Sequence, residues 1–158
     1  MIVNEIATSA IRLLRGLHNP RRAEGVQRYF KGAVVALGID ASTLRSWACD
    51  QLKLLKPNWG ADQAASFCDR MLREPELEIR GAGILILGGF HQAITPSILP
   101  LARRWLEECL TNWALVDGFC SSVLSPLLKQ HPDLVLKDNQ HRYTGQLKAT
   151  RHLSTAKD

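Results

Sequence analysis

Apolar residues recur at helical spacing along most of this chain. In the first segment they stand at positions 2, 6, 10, 13, 14 and 17, a spacing that predicts an amphipathic helix. Further helices are predicted to begin near Pro20, Pro75 and Pro96, and at the predicted cap residues Ser42, Asp62 and Asn112. The helix that begins near Pro20 is predicted to run to about Val35. The strand-like stretch at 83–87 fits a buried helix better, and no segment alternates convincingly. The pattern therefore predicts an all-α protein of about seven helices.

The predicted helices are joined by short breaks, which is typical of helical hairpins stacked into a HEAT-like α-α superhelix. Similarity between the hairpins is weak, so a compact helical bundle remains an alternative. We expect the helical domain to span residues 1–137. Residues 138–158 are polar and basic and nearly free of large aliphatic side chains, so we expect a disordered tail.

The seventh predicted helix has two contrasting faces when its residues are placed 100° apart. Large apolar residues form the face expected to pack in the core: Leu115, Val116, Phe119, Cys120, Val123, Pro126 and Leu127. The opposite face carries small uncharged residues: Ala114, Gly118, Ser121, Ser122 and Ser125. A solvated helix back normally carries charges, so this face predicts a close approach by another helix or by a ligand backbone.

Trp113 and Asp117 lie at the boundary between these two faces. They are spaced i and i+4, so both side chains should point the same way from the helix. A carboxylate in an apolar run must either find a hydrogen-bond partner or take part in chemistry. The residues alone favour the structural interpretation, in which Trp113 anchors the core and Asp117 caps a neighbouring helix.

Composition narrows the class of protein. The 158 residues, 46% hydrophobic and 22% charged, suit one globular domain. No stretch is long and apolar enough for a membrane span, and the N-terminus lacks a signal-peptide pattern, so we expect a cytoplasmic protein. The four cysteines form no CxxC pair, so we expect core thiols, no metal site and no cofactor.

The charge distribution is a weak indication of a polyanionic partner. The net charge is +5. Four basic residues stand against one acid between positions 21 and 31, and six against three from position 129 to the end. On charge alone, a solvated basic face is as good an interpretation as a binding surface.

Two stretches together resemble the DNA alkylation repair glycosylases of the AlkD type. The first is NPRRAE at 19–24, with RYFK at 28–31, LGI at 37–39 and the basic Arg45 after that turn. The second is Asn112-Trp113-x-x-x-Asp117, with LL at 127–128 and HP at 131–132. Each motif is weak by itself, but their order and spacing together are fairly specific. The resemblance extends from about residue 4 to residue 136.

This resemblance implies a superhelix whose concave face grips duplex DNA carrying alkylated bases. The implied reaction is hydrolysis of the N-glycosidic bond of N3- or N7-alkylated purines. Asp117 would stabilise the cationic sugar and position water, and Trp113 would attract the cationic base. Arg28, Lys31 and Arg45 would hold phosphates.

The resemblance also implies that Tyr29 lines the same groove, although a helix-packing role is an equal alternative for this residue. Family members usually continue through further helices with a W-x-x-S-x-N-x-W-x-R-R-like segment that carries another functional arginine. Only Asp138, Asn139 and Arg142 faintly resemble it here, so we expect a C-terminally truncated member. The rival hypotheses are a catalytically incomplete HEAT-like module that binds DNA or protein, and a helical scaffold with a basic tail.

Overall fold

A computed structural model of the chain describes residues 2–30 and 32–134. The predictions for Lys31 and for the tail from residue 138 lie outside the described residues. The helices are α1 (Ile2–Gly16), α2 (Pro20–Tyr29), α3 (Ala41–Leu55), α4 (Ala61–Leu72), α5 (Leu77–Gly88), α6 (Leu99–Glu108), α7 (Trp113–Phe119) and α8 (Ser125–Gln130). A 3-10 turn, Pro96–Ile98, leads into α6, and a π-helical turn, Cys120–Leu124, joins α7 to α8.

The prediction of an all-α protein is confirmed. No strand occurs in the described ranges, where β-type pairing is limited to an isolated bridge between Val35 and Glu76. The stretch at 83–87 is helical, as expected. No helix in this part of the chain is long and apolar enough to cross a bilayer.

The helices form two layers that meet along α5. Helices α1, α4 and α6 share one layer, in which Asp69 of α4 accepts hydrogen bonds from Trp105 Nε1 and Arg104 of α6 at 2.8 and 2.7 Å. Helices α3, α5 and α7 form the other layer. Helix α5 is apolar nearly all round, and such a helix is stable only when it is buried between neighbours.

Two close helix contacts depend on glycines of α5. A Cβ on Gly83 would lie 2.7 Å from Cβ of Met71, and a Cβ on Gly88 would lie 2.8 Å from Cβ of Ser122. Ser122 belongs to the small face of the seventh predicted helix. The expected close approach by another helix is therefore found at this end of the face.

The helix caps are only partly as predicted. Asn112 caps α7, accepting from the backbone N–H of Leu115. The predictions of Ser42 and Asp62 as caps are wrong, because both residues lie inside their helices. The cap of α3 is Asp40, whose carboxylate accepts a hydrogen bond from the Thr43 N–H at 2.9 Å. A carboxylate is a stronger acceptor than a hydroxyl, and the Ser42 hydroxyl itself donates to Asp40. The cap of α4 is Gly60.

Helix α2 ends at Tyr29, whereas the periodicity predicts that it continues to about Val35. The difference has a tertiary cause. The backbone N–H of Leu77 donates to the Val35 carbonyl at 2.8 Å. Both carboxylate oxygens of Glu78 accept from the N–H groups of Leu37 and Gly38, each at 2.8 Å. The segment after residue 32 is thereby held along the start of α5 and cannot continue a helix.

The core face of the seventh predicted helix is narrower than expected. Leu115, Phe119, Val123 and Leu127 are buried, and the remaining members are half-buried. The prediction of core thiols holds for Cys68, which is buried so that the pKa of its thiol is raised. It is wrong for Cys49, which is exposed, and Cys109 and Cys120 are half-buried.

Candidate functional site

An exposed aromatic cluster joins the end of α2 to the start of α7. The ring centroids of Tyr29, Phe30 and Trp113 lie 5.7 to 5.9 Å apart, within the range of favourable aromatic pairs. Tyr29 is 70% exposed and Trp113 is 55% exposed. Trp113 is therefore not the core anchor of the structural interpretation. A large, open indole and phenol on one surface form a platform for a planar ligand.

Asp117 lies one helical turn beyond Trp113, and its side chain is exposed. Within residues 2–30 and 32–134 no group donates a hydrogen bond to its carboxylate or forms a salt bridge with it. The structural interpretation of Asp117 as a cap on a neighbouring helix therefore fails for the described residues. Its carboxylate oxygens are open to solvent and to any ligand on this face.

An apolar groove of about 380 Å³ runs beside the aromatic cluster, between α2, α3, α5 and α7. The α7 side of the groove consists of Ala114, Leu115 and Gly118, followed by Ser122. A Cβ built on Gly118 meets no atom within 4 Å. This part of the small face therefore borders open space, whereas Ser122 packs against Gly88. Arg45 lies at the edge of the same groove.

Two of the predicted phosphate-binding cations are exposed and carry no salt bridge to another described residue. They are Arg28, in the last turn of α2, and Arg45, in the second turn of α3. Most other arginines in this part of the chain are neutralised by carboxylates: Arg15, Arg22, Arg70, Arg73, Arg103 and Arg104. The unpaired guanidinium groups keep their full capacity to bind an anion.

Helix α2 is held mainly by its ends. None of its side chains is fully buried. At its start, Arg22 forms a salt bridge with Asp40 at 2.8 Å, and the hydrogen bonds of that carboxylate with Ser42, Thr43 and Arg22 lower its pKa. At its other end the aromatic cluster joins it to Trp113.

Two polar residues of α5 that the sequence does not single out support both loops beside the cluster. Glu78 holds the Leu37–Gly38 turn after α2, and Arg80 donates to the Cys109 carbonyl and to Thr111 Oγ1, just before α7. The only signal in the sequence is the charge of these residues at the start of an otherwise apolar helix. That signal does not reveal their partners.

Comparison with known families gives a match that covers most of the chain. The model of the DNA alkylation repair enzyme family matches residues 10–142. The chain belongs to this family. The resemblance found in the two sequence motifs is thereby confirmed, and the match includes every helix that borders the aromatic cluster and the groove. Searches of the curated proteins and of the solved structures give no match.

Family membership indicates a role in DNA repair, with DNA as the partner. It does not assign a role to any single residue.

Proposed function

We propose that this member of the family is a DNA glycosylase that releases N3- and N7-alkylated purines from duplex DNA. The observation that supports the proposal most strongly is the placement of Asp117, an exposed carboxylate with no partner among the described residues, one helical turn from the open indole of Trp113. The carboxylate and the indole leave the same side of α7, so both can reach a ligand that stacks on the aromatic cluster.

The chemistry of the substrate suits a site without a strong general acid. Alkylation at N3 or N7 makes the purine cationic, so the C1′–N bond breaks with its electron pair going to the base, which leaves neutral. Positive charge then develops on the deoxyribose, as in other glycoside hydrolyses. The carboxylate of Asp117 stabilises that charge and orients the water whose oxygen bonds to C1′. The proton lost by the water passes to Asp117 or to solvent.

The aromatic cluster supplies the second part of the proposed site. The faces of Trp113 and Tyr29 attract a cationic base or sugar, worth about 0.5–2 kcal/mol depending on desolvation. Neutral purines gain less from such a surface, so the cluster favours alkylated bases over normal ones. No cofactor and no metal ion takes part in this scheme.

In this proposal, basic side chains hold the DNA backbone. We assign Arg28, Arg45 and the basic Lys31 to phosphate contacts, which position the duplex without reading its sequence. Each such contact should add about −0.9 to the slope of log affinity against log salt concentration. The proposal includes a HEAT-like stacking of the hairpins, in which the layer formed by α3, α5 and α7 faces DNA. It also includes the cytoplasmic location expected from the sequence.

The test is release of 7-methylguanine and 3-methyladenine from methylated duplex DNA, measured by chromatography in single turnovers. We expect Asp117→Asn to slow release by roughly 10²–10³-fold, the loss typical of removing one group that stabilises transition-state charge, with unchanged DNA affinity. The matched control is Asp62→Asn, the same change at an exposed carboxylate on the other layer; it should leave release unchanged.

The alternative functions give different results in this assay. Salt-sensitive DNA binding by the wild-type chain without base release would contradict the glycosylase proposal and favour a non-catalytic binding module. No salt-sensitive binding would favour a helical scaffold. Equal release by the wild type and the Asp117→Asn variant would remove Asp117 from the mechanism.

A further inference from the structure

The position of Trp113 depends on a short loop between α6 and α7. This loop, residues 109–112, contains Cys109, the C-cap residue of α6, and Asn112, the N-cap residue of α7. Trp113 is the first residue of α7, so a shift of the loop moves the indole directly. Thr111 and Asn112 line the pocket that Trp113 shares with Tyr29 and Phe30.

One guanidinium fixes this loop from a distant part of the chain. Nη1 of Arg80, on α5, donates to the Cys109 carbonyl at 3.0 Å and to Thr111 Oγ1 at 3.3 Å. Nε of the same residue donates to the Glu74 carbonyl at 2.5 Å. Arg80 therefore joins the loop before α7 to the connection between α4 and α5.

The contacts suit a guanidinium better than any other side chain. Cys109 lies at the C-terminal end of α6, where carbonyls lack intrahelical partners and the helix dipole favours a cation. A planar fork of donors binds two directions at once and loses little conformational freedom in doing so. A lysine ammonium could bind either the loop before α7 or the connection between α4 and α5, but it is not preorganised to bind both.

We propose that Arg80 is a positioning residue that sets the orientation of the Trp113 indole through the 109–111 loop. This inference rests on the proposed function for its catalytic consequence. Arg80 makes no hydrogen bond to Trp113 itself and acts through Thr111 and the Cys109 carbonyl.

The expected effect of losing Arg80 is a displaced loop, with the fold retained. Arg80 is only half-buried and does not belong to the apolar core. The α7 cap is supplied independently by Asn112, and the end of α6 retains the Cys109 N–H to Trp105 carbonyl bond at 2.9 Å. Both helices keep their own terminal hydrogen bonds without the guanidinium.

The experiment follows Trp113 by ¹⁹F NMR after labelling with 5-fluorotryptophan. The chain contains four tryptophans, and the Trp113 resonance is assigned from the Trp113→Phe variant. We expect Arg80→Met to shift or broaden the Trp113 resonance and to leave the Trp59 resonance unchanged, since Trp59 packs against Phe67 elsewhere in the molecule. Thr111→Val, which removes one of the contacts, should give a smaller shift of the same resonance.

Base release is measured on the same proteins. Misplacement of a group by about 1 Å is enough to slow a reaction roughly 100-fold, so we expect Arg80→Met to slow release by roughly 10- to 100-fold without weakening binding to undamaged duplex DNA. Arg80→Lys should restore part of the rate. The matched control is Arg103→Met, which removes a guanidinium from an exposed ion pair on α6 and should change neither readout.

The outcomes separate this inference from the proposed function. An unchanged Trp113 resonance in Arg80→Met overturns the inference, whatever the release rate. A shifted resonance with an unchanged release rate overturns its catalytic part. A shifted resonance in a protein whose wild type releases no base supports the positioning of Trp113 and contradicts the glycosylase proposal. If Arg80→Met does not fold, Thr111→Val and Arg80→Lys decide by the same two readouts.

Discussion

Glu78 offers a sharp test of how the loop after α2 is held. Its side chain is buried, with 6% of the residue exposed. Its two carboxylate oxygens each accept one backbone N–H, from Leu37 and from Gly38, at 2.8 Å. The perturbation is Glu78→Gln, which keeps the shape of the side chain but leaves one acceptor oxygen and places an NH₂ group opposite the other backbone N–H.

The magnitude follows from these two bonds. A hydrogen bond to a charged acceptor contributes about 1.5–3 kcal/mol, and a buried donor left without a partner costs about 1–3 kcal/mol. One bond is retained in weaker form and the other is lost. We therefore expect Glu78→Gln to lower the free energy of unfolding by about 2–4 kcal/mol, which in a domain of this size lowers Tm by roughly 4–16 °C.

The assay is urea and thermal unfolding followed by far-UV circular dichroism at pH 7. The matched control is Glu107→Gln, the same change at a carboxylate in an exposed pair with Arg103, and exposed pairs contribute about 0–1 kcal/mol. If Glu78→Gln changed stability by no more than the control, the two backbone hydrogen bonds would not be holding the loop. The reasoning about α2 and its connection would then be wrong.

Two further predictions concern stability. Gly38→Ala should destabilise the fold by about 1–3 kcal/mol, because Gly38 has φ +74° and a Cβ there would lie 2.4 Å from the Asn19 carbonyl oxygen. The measurement is urea unfolding, and the control is Gly16→Ala, where a Cβ meets open space. Burial alone would raise the pKa of Asp69, but hydrogen bonds from Trp105 and two arginines lower it below its ordinary 3.8. Asp69 therefore stabilises the fold above that value, and this contribution is lost as the pH falls through 3.8 towards the lowered pKa. Asp69→Asn should cost about 1 kcal/mol at pH 7, and unfolding titrations should show this difference shrinking below pH 4; a constant difference would contradict the assignment.

The fold class was predictable because helical periodicity is a local property. The large apolar residues of the seventh predicted helix repeat at the right spacing, and Leu115, Phe119 and Val123 are indeed buried. The length of α2 was not predictable from periodicity. Its apolar pattern continues to Val35, but the hydrogen bond from Leu77 and the clamp of Glu78 hold that segment extended. These partners stand some 40 residues further along the chain.

The candidate site likewise has a part that local sequence predicts and a part that it does not. The spacing of Trp113 and Asp117 places them on one side of a helix, and the sequence motif identifies them without knowledge of the fold. The residues that support them are different, because Arg80 acts on a loop that lies 29 residues away in the chain. No local pattern links a charge on one helix to the carbonyl at the end of another.

Helix α5 connects these observations. Tyr29 and Trp113 come from distant parts of the chain, and α2, which carries Tyr29, has no fully buried side chain. Neither ring is therefore positioned by core packing of its own side chain. The loop after α2 is held by Glu78 and the loop before α7 by Arg80. Both residues lie in the first turns of α5, whose remaining length packs against α3, α4 and α7. Two polar side chains of α5 thus fix the positions of the loops that carry the exposed aromatic cluster. This explains why charged residues occur at the start of an otherwise apolar helix.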